Sequence, residues 1–244
     1  MVCKMVGRLG AFCALLSLLC ASLAASSPSA IERRVRVCGN LPSKQTLEKD
    51  RADGKPQITT IPKRELQRRA DTDPSLLYPA YNLSVPIDHF HNDSLYEPHS
   101  NGKFNLRSWF DATYYKTGGP VIVLQSGETD GTDRLPYLQK GLLHHMAKAT
   151  NGIGVVLEHR YYGTSFPTPD LSTENMRFLT TDQALADEVY FAKNVVFKGL
   201  EHVDLTAPNV AYIGYGGSYA GAFNAFLRKL YPDVFWGESS LVCI

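Results

Sequence analysis

The feature that most limits what this chain can fold into is the segment from Asn209 to Tyr231, NVAYIGYGGSYAGAFNAFLRKLY. A β-branched and aromatic run, Val210 to Tyr215, meets small residues centred on Ser218 and passes directly into an amphipathic helical pattern. The spacing predicts a strand, a tight turn and a helix. A serine at such a turn stands out from the sheet end with its hydroxyl exposed, and glycines beside it let the backbone bend without a Cβ clash. We read the segment as a nucleophile elbow with Ser218 as the nucleophile.

In the pattern Gly-x-Ser-x-Gly, the five places are filled by Gly216, Gly217, Ser218, Tyr219 and Ala220, with Gly221 just beyond. Alanine in the last place is small enough to keep strand and helix close. Two other readings compete. In one, the serine is only a helix N-cap at a glycine-rich turn. In the other, Gly214-Tyr215-Gly216 opens a dinucleotide-binding turn, but bulky Tyr219 takes the third glycine place and the turn comes late in the chain. No cofactor is expected.

A serine nucleophile needs a base to remove its proton and N–H donors to receive the oxyanion. One donor is the N–H of Tyr219. The second belongs on the loop after the strand Val121 to Gln125, which makes Gly127 and Glu128 candidates; equally, these two residues can form no more than a turn. The base is harder to find. All seven histidines (His89, His91, His99, His144, His145, His159 and His202) precede Ser218, whereas this fold takes its acid and histidine from later strands. Only Asp233 and Glu238 are acidic beyond the elbow. His159, at the end of a predicted strand, reads as structural. His89-Phe90-His91 and His144-His145 lack the companion acid or cysteine spacing of a recognised metal site, so no metal is expected.

Upstream, Tyr81 to His89 and Lys103 to Lys116 read as two antiparallel strands of a hairpin. Val121 to Gln125 and Gly152 to Glu158 are continuous apolar runs suited to strands buried on both faces. A helix is predicted from Arg134 to Lys148. Thr180 and Gln183 have capping-box spacing ahead of a second helix whose Leu185, Val189, Ala192 and Val196 share a face. Phe235 to Ile244 reads as entry into a further strand. The order is that of an α/β fold with a mostly parallel sheet and an antiparallel start.

The 244 residues divide into three parts. Residues 1–24 carry Lys4 and Arg8, an apolar run from Leu9 to Leu23 and small residues at a cleavage pattern. This is a secretory signal peptide in pattern, too short in its apolar core for the ~20 residues of a membrane span, so no stable membrane association is expected. Residues 25–75 are polar, basic and without periodicity, a linker or pro-segment. Its pairs Lys63-Arg64 and Arg68-Arg69 can be processing sites or simply solvated charge. Residues 76–244 form the folded part. The net charge of +1, with basic residues gathered in a segment lacking interleaved aromatics, excludes a nucleic-acid surface. Sequons at Asn82 and Asn92 agree with a secretory, or vacuolar and lysosomal, route. Beyond the leader only Cys38 and Cys243 remain, which is no disulfide scaffold. Nothing in the sequence sets an oligomeric state.

Five ordered blocks then carry a family resemblance: VPIDHF (Val85 to Phe90), GPVIVLQSGE (Gly119 to Glu128), EHRYYG (Glu158 to Gly163), LTTDQALAD (Leu179 to Asp187) and YIGYGGSYAG (Tyr212 to Gly221). The chain resembles the secreted and lysosomal serine peptidases typified by Pro-X carboxypeptidase, dipeptidyl peptidase II and thymus-specific serine protease. The resemblance implies the α/β-hydrolase fold, an acyl-enzyme on Ser218, oxyanion roles for Tyr219 with Gly127 and Glu128, and hydrolysis of peptides on the carboxyl side of proline without metal or cofactor. It gives EHRYYG no catalytic role. It also places the family's acid and histidine after the elbow helix, so the expectation is a truncated form, inactive as it stands, with the elbow strand left as an exposed sheet edge and poor solubility. A non-catalytic binding protein on the partial scaffold is the alternative, and an esterase of the same fold a weaker one, for want of a His-Gly-Gly-Gly oxyanion block.

Overall fold

The computed structural model describes residues 72–241. The expected leader, the basic segment with its dibasic pairs, and both cysteines beyond the leader lie outside the described residues. Among those residues no helix is long and apolar enough to cross a membrane.

A short helix α1 (Pro74–Leu77) is capped by Asp73 and leads into strand β1 (Tyr81–Pro86). Strand β1 pairs antiparallel with β2 (Lys103–Asp111) across a connection, residues 87–102, that holds a 3-10 turn at Ser94–Tyr96. Strand β2 in turn pairs antiparallel with β4 (Ile153–Leu157). From there the sheet is parallel: β4 with β3 (Val121–Gln125), β3 with β5 (Tyr212–Gly217), and β5 with β6 (Phe235–Leu241). The order across the sheet is β1-β2-β4-β3-β5-β6. This is the antiparallel start and parallel body expected of an α/β hydrolase.

All five residues of β3 and all five of β4 are buried, as strands covered on both faces require. Alternation sends Val121 and Val123 to one face and Ile122 and Leu124 to the other. The first face packs on α4 (Thr181–Asn194) and α5 (Tyr219–Leu230) through Leu185, Ala192, Phe223 and Leu227. The second packs on α2 (Pro136–Gln139) and α3 (Leu142–Thr150) through Leu138, Leu143 and Ala147. Each valine, isoleucine, leucine or phenylalanine side chain so enclosed contributes ~1.5–3 kcal/mol of transfer free energy before ordering costs.

Four expectations need correction. The single helix from Arg134 to Lys148 is two, because Lys140 is extended and Gly141 takes φ 93°, ψ −169°, a backbone that no helix interior accommodates. Val196 does not share the α4 face: the helix stops at Asn194 and Val196 is 67 % exposed. The capping box is only half closed. Thr180 accepts from the Gln183 N–H at 3.3 Å, but the Gln183 side chain turns away to accept from His89 N and to donate to Asp88. Finally, β5 is not the sheet edge, since β6 pairs along its outer side and takes that place.

Helix α4 carries charge into the core. Glu188 is fully buried, its Oε2 accepting from Gln125 Nε2 at 3.1 Å and its Oε1 without a partner among the described residues. Burial, with the charge of Asp187 acting in the same direction against the Gln125 hydrogen bond, pushes its carboxyl up to about 8. The unfolded carboxyl titrates near ~4.3, so between there and 8 the folded chain holds a proton that the unfolded chain has released. Rising pH therefore drains stability across that window. Glu188→Gln removes the ionisation; its stability relative to the parent should increase by roughly 1–3 kcal/mol between about pH 5 and about pH 8 in urea titrations.

Candidate active site

The parallel register brings the C-terminal ends of β3 and β5 side by side, with Leu124 opposite Tyr215. The chain leaves β5 at Gly217 and enters α5 at Tyr219, so Ser218 alone makes the turn. It does so at φ 55°, ψ −127°, one of three non-glycine residues at positive φ among those described. Ser218 is exposed, and its carbonyl accepts from the N–H groups of Gly221 (3.0 Å) and Ala222 (3.1 Å), which starts the helix. Its side chain makes no capping bond. An N-cap serine has extended backbone and a side chain bonded to the first turn, so the cap reading does not describe this residue.

Small residues make the turn possible. A Cβ on Gly216 would lie 2.5 Å from the Ala220 carbonyl oxygen, and one on Gly214 would lie 2.1 Å from Asn224 Oδ1. The first turn of α5 therefore rests directly on the backbone of β5. Ala220 is buried and faces the loop after β3, where a Cβ on Gly127 would stand 3.5 Å from its own. Gly217 is exposed with only the Leu241 carbonyl nearby, and the Ser218 N–H donates to that carbonyl at 2.9 Å.

The two expected oxyanion elements are thus neighbours. The Tyr219 N–H, at the first position of α5, donates to no described residue, as helix N-termini leave free. On the facing loop, the Gly127 N–H is turned toward Gln125 Oε1 at 3.4 Å, while exposed Glu128 has an N–H with no partner among the described residues.

His159 is brought close but not to the serine. It is 3 % exposed, its Nδ1 lies 2.8 Å from the Arg160 carbonyl and its Nε2 lies 3.1 Å from the Tyr219 hydroxyl. Burial holds its imidazole below the ordinary range despite the Arg160 carbonyl. It buttresses Tyr219 from beneath, a contact that sequence spacing could not show. No histidine or acid among the described residues hydrogen-bonds Ser218. His144 binds the Leu138 carbonyl and packs edge-on against Tyr114, on the other side of the sheet.

The charged residues of the EHRYYG block, Glu158 and Arg160, each centre a buried ion cluster. Glu158 accepts from Arg107 Nη2 (2.6 Å), Arg107 Nε (3.1 Å), Gly131 N, Thr164 N and Ser165 Oγ. Arg160 clamps Asp187 with two bonds of 2.6 and 2.7 Å and donates to the carbonyls of Ile87 and Phe178. Both acids anchor loops around the sheet end. Asn82 and Asn92 are both exposed, on β1 and on the β1–β2 connection. Spacing also failed to show that Asp88, His91 and His99 converge within that connection. A surface hollow of 430 Å³ lined by Pro208, Arg228, Pro232, Asp233 and Trp236 lies at the far end of α5 from Ser218.

The sequence pattern of the serine carboxypeptidase S28 family matches residues 86–240, from the end of β1 to the end of β6. The chain belongs to that family. A protein of Arthroderma benhamiae named "Probable extracellular serine carboxypeptidase" is 61% identical to this S28 chain over 168 residues, 69% of this chain and 24% of that one. The serine protease vicPa of Bipolaris victoriae is 39% identical over 67% of this chain and 30% of its own length. The human lysosomal Pro-X carboxypeptidase is 33% identical over 66% of this chain and 30% of its own. The S28 chain thus spans about a quarter to a third of the length of the curated relatives it matches.

The two elbow glycines should respond unequally to a methyl group. Gly216→Ala forces the α5 backbone off the sheet and should cost ~2–4 kcal/mol, whereas Gly217→Ala should stay within about 0.5 kcal/mol of the parent in urea unfolding. Equal costs would mean that α5 does not rest on Gly216.

Proposed function

We propose that this chain bears the nucleophile of a secreted serine peptidase that cleaves peptides on the carboxyl side of proline, as an exopeptidase, through an acyl-enzyme on Ser218. The observation that carries the reading is the backbone of Ser218: exposed, at positive φ, on a one-residue turn between β5 and α5. Family membership supports peptide hydrolysis. The human relative's name supports proline, the Arthroderma relative's name supports an extracellular setting, and the leader of residues 1–24 supports entry into the secretory or vacuolar route.

In this reading Ser218 Oγ attacks the scissile carbonyl, and the oxyanion is received by the Tyr219 N–H and, from the loop after β3, by the Glu128 N–H in preference to Gly127, whose N–H faces Gln125. Gly216, Gly217, Ala220 and Gly221 hold the elbow. The serine proton needs an acceptor, and no described group is bonded to Ser218 to take it. The 244-residue chain by itself is therefore a poor catalyst. That same observation favours a second reading, a non-catalytic binding protein on the hydrolase scaffold.

A fluorophosphonate probe separates these. The chain alone should label no faster than its Ser218→Ala variant; rapid Ser218-dependent labelling would show that a base is already in place. A chimera joining this chain to the part of the Arthroderma relative that follows its elbow helix should label at Ser218 and cleave peptides after proline in preference to alanine. A folded chimera that does neither would support the binding protein.

A further inference from the structure

The connection between β1 and β2 carries Asp88 and His91 near its start and His99 near its end. These three residues each offer a ligand atom, and the atoms all lie within 4.8 Å of one another. We propose that Asp88, His91 and His99 form a zinc-type metal site that staples the two ends of this connection together.

Asp88 is the fixed member of the three. Its side chain is fully buried, yet it lies on a loop beside a surface. One carboxylate oxygen, Oδ1, is committed: it accepts from the Phe90 N–H at 2.9 Å and from Gln183 Nε2 at 2.8 Å. Those two bonds fix the carboxylate plane and turn Oδ2 toward the imidazole of His99, whose Nδ1 stands 2.8 Å away. A carboxylate oriented by second-layer donors is the usual support of a metal ligand.

The two imidazoles complete the set. The His91 and His99 rings are 5.5 Å apart between centres. His99 is 24 % exposed and His91 is exposed, so the open side of the site faces water, which can fill a fourth position. Ligand atoms in one tetrahedral shell with bonds of ~2.0–2.2 Å sit ~3.3 Å apart, so Asp88 and His99 are already near that spacing and exposed His91 closes by side-chain rotation. Two imidazoles with one carboxylate suit Zn²⁺, Cu²⁺ or Ni²⁺, not Ca²⁺ or Mg²⁺, which favour all-oxygen shells. The site holds a strand connection that also contacts α4 through Gln183. Its role is to stabilise, and it is independent of the peptidase reading.

The test uses the full chain with its thiols blocked by iodoacetamide, titrated with Zn²⁺ by calorimetry. The parent should bind one Zn²⁺ that is weakened at least ~10-fold both in His91→Ala and in His99→Ala, while His145→Ala keeps it. His91→Ala alters an exposed side chain, so its metal-free melting temperature should match the parent's, while the rise in melting temperature that Zn²⁺ gives the parent should be absent from it. Absence of saturable Zn²⁺ binding in the parent, or unchanged binding and thermal shift in His91→Ala and His99→Ala, would overturn the site.

Discussion

The rest of this molecule depends on how closely the helix after Ser218 lies on the strand before it. Side chains at Gly214 or Gly216 would hold α5 away, and a Cβ at either place would meet Asn224 or the Ala220 carbonyl inside 2.6 Å. Because the helix starts at once, the intervening residue has no choice but positive φ, which an L-amino acid tolerates only when its surroundings over-determine it. The local cost, of order 1–3 kcal/mol, is met by the packing of Phe223 and Leu227 beneath α5. The hydroxyl is exposed as a geometric consequence. The facing loop at Gly127 is admitted for the same reason, since Ala220 presents only a methyl group toward it.

Charge fixes what surrounds that turn. Two buried ion clusters stand at the end of β4, Glu158 with Arg107 and Arg160 with Asp187, and between them they tie β2, α4 and the loops at Gly131 and Thr164 to the sheet. Such pairs add little net stability against an apolar alternative, but removing one partner leaves a buried charge at a cost of ~3–5 kcal/mol. They act as specifications of position. His159 lies between these clusters and touches the elbow through Tyr219, which links the sheet end to the residue next to Ser218. Glu158, His159 and Arg160 of the EHRYYG block thus spend their polar atoms on the sheet end, its loops and the elbow tyrosine.

The legible parts of the sequence were those with a single physical cause. Val121 to Leu124 is apolar throughout and Val121 to Gln125 is the strand expected there, and the turn at Ser218 was readable because only small residues permit it. Other parts answered to forces a linear pattern does not carry. Gly141 interrupts an otherwise helical run by adopting a backbone that its neighbours cannot. Gln183 has the right spacing to close a capping box, but a buried aspartate and a loop N–H made better partners. Phe235 to Leu241 supplies the outermost strand, so β5 has ladders on both sides and the edge expected at the elbow lies one strand further out. Of the candidate site, the elbow and the loop after β3 that faces it were visible in the motif, whereas the contact of His159 with Tyr219, which joins residues sixty positions apart, was not.

The central claim is that Ser218 is held in a strained turn by the close seating of α5, and the most direct measurement is the unfolding free energy of Ser218→Gly and Ser218→Ala against the parent. Glycine adopts positive φ without strain, so the account predicts that Ser218→Gly gains ~1 kcal/mol and that Ser218→Ala, which loses no hydrogen bond, changes stability little. If instead Ser218→Ala costs ~1 kcal/mol and Ser218→Gly brings no gain, the serine is an ordinary helix cap and the elbow does not exist.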